Sequence, residues 1–127
     1  MAGLALPGGG YGSAGKGISN LDAFKKYSQV RPSYKSGQVE SVWNNAKNTN
    51  GLVRDPNTNQ IINWTPGQTR KGVWDMGHRP GQEYSLMLQR LQKGEITQNE
   101  FLSHYRNPQN YQPELPANNR SRRYEQK

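Results

Sequence analysis

Cysteine is absent from the 127 residues, which excludes disulfides and any zinc site built on thiolates and leaves a metal only oxygen or imidazole ligands. Acid is scarce: nine Asp and Glu stand against 17 Lys and Arg, a formal net charge of +8. That balance favours a polyanionic partner, because lysines and arginines that displace counterions from phosphates supply much of nucleic-acid affinity. On charge alone DNA, RNA and an acidic membrane all stay open. Apolar residues make up only 31% of the chain and mean hydropathy is -1.10, so one small core is expected, with part of the length outside it. No apolar run approaches the ~20 residues a membrane helix needs. The start also lacks the charged-then-apolar layout of a secretory signal.

What is present is unevenly spread. Seven of the 14 glycines fall within residues 1–20, which read as a glycine-rich linker leading into a domain over 21–127. Gly10 and Gly15-Lys16 have the spacing of a phosphate-binding loop, but Gly17 stands where a hydroxyl should hold magnesium, so that reading is rejected. Leu21, Phe24 and Tyr27 predict a short helical face, and Val39, Val42, Trp43 and Ala46 a second helix. Leu52-Val53 and Ile61 to Trp64 flank Asp55-Pro56-Asn57-Thr58-Asn59, a pattern expected of a hairpin. Val73-Trp74 begins a short buried strand that delivers Asp75 and His78 to its end. Tyr84, Met87, Leu88 and Leu91 predict a helix with Glu83 in its first turn, closed by Lys93-Gly94. Thr97 and Glu100 form a capping box for a further helix. The prolines of Tyr111 to Pro116 predict an extended segment, followed by a short helix capped near Asn118.

The chemistry concentrates in Gly72 to Glu83, where a histidine, two carboxylates and an arginine share one span with three glycines. Phosphodiester hydrolysis needs a base of near-neutral pKa and a cation to take up charge on the phosphate. His78, between Gly77 and Arg79-Pro80-Gly81, is the best candidate base, although an isolated histidine is more often structural. Asp75, Glu83, Glu114 and Asn119 are hard oxygen donors suited to magnesium or manganese. Each also has a plainer role: Asp75 orienting His78 or Arg79, Glu83 complementing a helix N-terminus, Glu114 solvated in a loop, Asn119 capping a helix. His104 reads as a half-packed residue of a short helix.

The run Trp74-Asp75-Met76-Gly77-His78-Arg79-Pro80-Gly81-Gln82-Glu83, followed by Asn107 to Pro116 and Asn119-Arg120-Ser121, resembles the GH-E toxin nucleases of the HNH/endonuclease VII superfamily. Arg31, Tyr34, Gly37, Val42 and Trp43 extend the likeness upstream, so that it covers about Arg31 to Glu125. The resemblance implies an α+β fold with a ββα-metal (His-Me finger) core and flanking helices. It implies His78 as general base, Asp75 and Asn119 as metal ligands, and Glu83, matching the glutamate of the family's name, as a second catalytic residue that binds the metal through water or holds His78. Arg79, Arg120, Arg122 and Arg123 are expected at phosphates. The implied cofactor is a divalent ion, magnesium first, with manganese or another transition metal as alternatives. Related superfamily members often carry a structural zinc on paired cysteines, which this chain cannot. The implied activity is a metal-dependent DNase toxin, with an RNase or a non-catalytic basic module as alternatives. The implied setting is the end of a larger secreted effector that acts in the cytoplasm of a target bacterium and is countered by an immunity protein, with no membrane partner.

Overall fold

The computed structural model describes residues 16–117, with side chains from Asn20 onward, and the chain has an α+β composition divided into two compact units. The first unit, residues 16–33 and 84–105, consists of helices α1 (Lys16–Gln29), α3 (Tyr84–Gln92) and α4 (Gln98–Tyr105). α1 has already begun inside the stretch assigned to the linker. Its buried face is rotated from the expected one: Tyr27 is inside as expected and Phe24 half-buried, but Asn20 and Ala23 are also inside while Leu21 is 47% exposed. A polar residue wins the inward position because the Asn20 amide donates to the Ile96 carbonyl at 2.9 Å, a bond that satisfies the buried group.

Aromatic contacts fill this core. Tyr27 stacks on Phe101 at 5.4 Å, and Tyr84 meets Phe101 and Tyr105 edge-on at 5.7 and 5.6 Å. The Tyr84 hydroxyl donates to the Tyr27 carbonyl at 2.6 Å, and burial pushes its pKa up to about 12. α3 ends as its Lys93-Gly94 signal predicts. Gly94 takes the left-handed conformation, its N–H donating to Leu91 while Glu95 N–H reaches back to Arg90, the two bonds of a Schellman stop. The capping box also forms: Thr97 Oγ1 accepts from Glu100 N–H and the Glu100 carboxylate accepts from Thr97 N–H.

The second unit, residues 34–83 and 106–117, contains α2 (Gln38–Ala46) and strands β1 (Asp75–His78) and β2 (Tyr111–Glu114). The α2 stripe is core, with Val42 and Trp43 buried and Val39 and Ala46 packed against the cluster. Trp43, Trp64 and Trp74 pack as a triangle with centroids 5.0 to 5.5 Å apart, around which Val53, Ile62, Met76 and Tyr111 complete the interior. The expected hairpin survives only as the bridge Arg54–Ile61 plus flanking hydrogen bonds. The expected strand at Val73-Trp74 starts at Asp75 instead.

β2 was legible only as an extended segment, yet it pairs antiparallel with β1: Asp75 opposite Glu114, Met76 opposite Pro113, Gly77 opposite Gln112 and His78 opposite Tyr111. Pro113 is tolerated because the sheet has two strands, so each is an edge on which a missing N–H breaks no inner ladder. Residues 116–117 are helical, so the helix begins with Pro116 in its first turn, where the lost N–H is harmless. Two strands followed by a helix start match the expected ββα order, with α3 and α4 lying in sequence between the strands. No helix among the described residues is long and apolar enough to cross a membrane.

Candidate active site

β1 carries the two leading candidates, and pleating decides how they relate. Successive side chains of a strand project to opposite faces, so Asp75 and position 77 share one face with Gln112 and Glu114, while Met76 and His78 share the other with Tyr111 and Pro113. Asp75 and His78 therefore project from opposite faces of the strand. The His78 ring, half-buried at the strand end, lies 4.7 Å from the Tyr111 ring. The chain then turns sharply through Arg79-Pro80-Gly81-Gln82, with Gly81 at φ 83° and Gln82 N–H donating to the Arg79 carbonyl at 2.9 Å. Proline second and left-handed glycine third is the type II pattern. Arg79 is exposed directly after the histidine, and its own N–H is anchored on the Asn110 carbonyl.

On the opposite face the decisive residue is Glu114. Its carboxylate occupies the space that a side chain at position 77 would take: a Cβ built on Gly77 would collide with Glu114 Oε2 and lie 2.5 Å from its Cδ. The glycine is thus required by a close approach of another residue and not by its backbone conformation. Both carboxylate oxygens are held, Oε1 by the Asn57 amide at 3.0 Å and Oε2 by the Gln112 amide at 3.3 Å. Burial pushes the Glu114 pKa up from its ordinary value; the amide donors of Gln112 and Asn57 pull it back, and the nearby charges of Asp55 and Asp75 raise it again. The expectation of a solvated Glu114 is overturned, since it is 7% exposed.

The structure thus brings together Asp75, Gly77 and Glu114 on one face, with His78 at the same strand end on the other. Glu83 lies just before α3, not in its first turn, and is buried. Asn119, Arg120, Arg122 and Arg123 lie outside the described residues. His104 sits half-buried on α4, its pKa lowered by burial and then by Arg90. Sequence reading missed Asn57, Gln112 and Tyr111 as site neighbours. Their signal was the β1–β2 register, which no local pattern displays.

The donor set fits a hard divalent cation. Asp75 and Glu114 face each other across the sheet, and two carboxylates completed by water and substrate phosphates are how magnesium is commonly held. A cation there would also offset the unfavourable burial of Glu114. Among the described residues no group of three or more His, Asp or Glu is disposed to chelate an ion, so a third ligand of those types would have to lie outside them.

No solved structure matches the chain. A family model for HNH/endonuclease VII superfamily nucleases with conserved GHE residues matches residues 50–125, more than half of the chain. The protein belongs to this nuclease family.

Proposed function

We propose that the chain is a divalent-metal-dependent DNase in which His78 is the general base and Asp75 and Glu114 hold the ion. The observation that carries this reading is the fit of the Glu114 carboxylate into the vacancy at Gly77, one residue from His78. In-line displacement at phosphorus needs the base on the attacking side and the cation on the leaving side, roughly opposite one another. His78 takes the proton from the attacking water, with its ring orientation set against Tyr111. Arg79 meets the phosphate from the turn. The ion, when bound, supplies charge stabilisation to the phosphate and leaving oxygen.

Glu114 is added as a site carboxylate, because its side chain lies against position 77, and Glu83 keeps its proposed role of binding the metal through water or holding His78. Asn119 is proposed as a further ligand, with Arg120, Arg122 and Arg123 as phosphate contacts. Cleavage is sequence-tolerant, since phosphate contacts position a nucleic acid without reading its bases. The role as a toxin delivered within a larger effector into a bacterial cytoplasm, restrained by an immunity protein, rests on the resemblance drawn from the sequence.

The test is incubation of plasmid and, separately, of total RNA with the domain plus magnesium, with chelator, and with His78→Ala. Cutting of plasmid that chelator abolishes, and that His78→Ala lowers by roughly 10²–10⁴ as expected for loss of a general base, is the predicted result. Cutting of RNA alone would make the protein an RNase with the same site, and equal cutting in all arms would end the proposal.

A further inference from the structure

We propose that Asn57 is a positioning residue of the active site: carried on a loop locked by Asp55, its side-chain amide holds the Glu114 carboxylate in the space left by Gly77. The inference rests on the nuclease reading above, in which Glu114 faces the divalent ion.

The loop from Asp55 to Asn59 is more tightly built than a chain reversal requires. Asp55 is 1% exposed and its carboxylate is fully engaged. Oδ2 accepts from Asn57 N–H at 3.1 Å, Thr58 N–H at 2.9 Å and the Thr58 hydroxyl at 2.9 Å. Oδ1 accepts from Leu115 N–H at 2.8 Å. The last bond ties the loop to the residue immediately after Glu114. Backbone bonds from Asp55 N–H to the Gln60 carbonyl and from Asn59 N–H to the Asp55 carbonyl close the loop from within. Asn59 sits at φ 66°, the only non-glycine residue with positive φ among those described. The carboxylate needs both of its oxygens as acceptors, so the Asn57 amide must present its nitrogen. The frame therefore fixes one thing for the site: the direction from which a neutral donor reaches Glu114.

The arrangement is poor design for stability alone. It buries Asp55 beside Glu114, and like charges in a desolvated space oppose each other. Local features that run against stability are expected where function requires them. An amide is also the right group for the task. It orients the carboxylate without neutralising it, whereas a lysine or arginine at position 57 would compete with the ion for the same charge. Partners that orient a metal-facing side chain are usually worth 10–100-fold in metal affinity or activity, roughly.

Aspartate and alanine at position 57 separate this role from a structural one. Aspartate is nearly isosteric with asparagine, so if Asn57 merely shapes the loop, Asn57→Asp is the milder change. If Asn57 is the donor to Glu114, Asn57→Asp sets an acceptor against an acceptor and is the worse of the two. The full chain and its Asn57→Ala, Asn57→Asp and His78→Ala variants are compared by calorimetric titration with manganese in the absence of nucleic acid, by plasmid cleavage across magnesium concentrations, and by thermal melting with chelator. The expected result is a rise of about 10–100-fold in the manganese dissociation constant and in half-saturating magnesium for Asn57→Ala, a larger rise for Asn57→Asp, and melting close to wild type for Asn57→Ala. Manganese binding and half-saturating magnesium in Asn57→Asp equal to wild type would overturn the inference. If the wild-type chain cuts no nucleic acid, the nuclease reading falls, and the manganese titrations still decide whether Asn57 holds Glu114.

Discussion

Replacing Gly77 with alanine probes the close approach on which the site depends. The new Cβ would lie 2.5 Å from Glu114 Cδ and 2.8 Å from its Cγ, so the side chain must leave. The backbone at 77 is extended strand, hence alanine is not strained there and gains about 0.5–1 kcal/mol over glycine from the unfolded state. Against this, Glu114 loses its bonds from Asn57 and Gln112, each worth on the order of 1.5–3 kcal/mol to a charged acceptor. The carboxylate regains hydration as it moves outward, which offsets part of that loss. The net destabilisation is about 2 kcal/mol, small enough for a fold of ordinary stability to survive. Activity should fall far more, by roughly 10²-fold, because displacement of about 1 Å at a catalytic centre already has that effect. Urea unfolding and the initial rate of supercoiled-plasmid nicking measure the two effects separately. Adding Glu114→Ala to Gly77→Ala should recover part of the lost stability, through a coupling of about 0.5–3 kcal/mol, with no return of activity. Wild-type nicking by Gly77→Ala at unchanged stability would show that Glu114 does not fill the vacancy and would refute the site as built.

Glu114→Gln keeps the shape but sets its amide nitrogen against one of the two amide donors, so with chelator present stability by urea titration should fall by about 1–3 kcal/mol and nicking should be lost; an unchanged midpoint would contradict the pair of bonds. Asp55→Ala strands the donors of Asn57, Thr58 and Leu115 and should lower stability by about 3–5 kcal/mol by urea titration, the range for breaking a buried charged network. His104 has its pKa lowered by burial and Arg90 below the ordinary 6.5. The unfolded chain therefore binds a proton that the fold resists, and stability should drop as pH falls from 6.5 through the folded-state value. His104→Gln should flatten that acid-side loss in urea midpoints measured at pH values on either side of 6.5.

Much of the helical architecture was legible, because three of the helices are specified by residues within or beside their own span: the Val42 and Trp43 stripe of α2, the Gly94 stop of α3, the Thr97–Glu100 cap of α4. The position of His78 at a strand end was legible for the same reason, with apolar residues before it and a proline-glycine turn after it. α1 was misjudged where a tertiary bond decided the matter, Asn20 being drawn inward by the Ile96 carbonyl while Leu21 stayed out. The acidic half of the site was hidden for a related reason. Nothing around Glu114 in the sequence distinguishes it from a loop carboxylate; its proposed role rests on lying against Gly77 and accepting from Asn57, residues 37 and 57 positions away. A missing side chain cannot advertise what fills its place.

The order of the strands in the chain bears on how the site comes into being. β1 and β2 are separated by residues 79–110, a span that contains α3 and α4, so His78 and Glu114 come together only after a long loop closes. Pairings of this kind yield nothing until the closure entropy has been met, which makes them slow relative to local helix formation. Each halving of the effective loop length lowers that entropy by about 0.6 kcal/mol. The Schellman stop after α3 and the capping box before α4 fold the intervening chain back on itself using neighbouring residues alone. The speed at which the two strands meet is thus set in part by two helices that carry none of the residues assigned to the site.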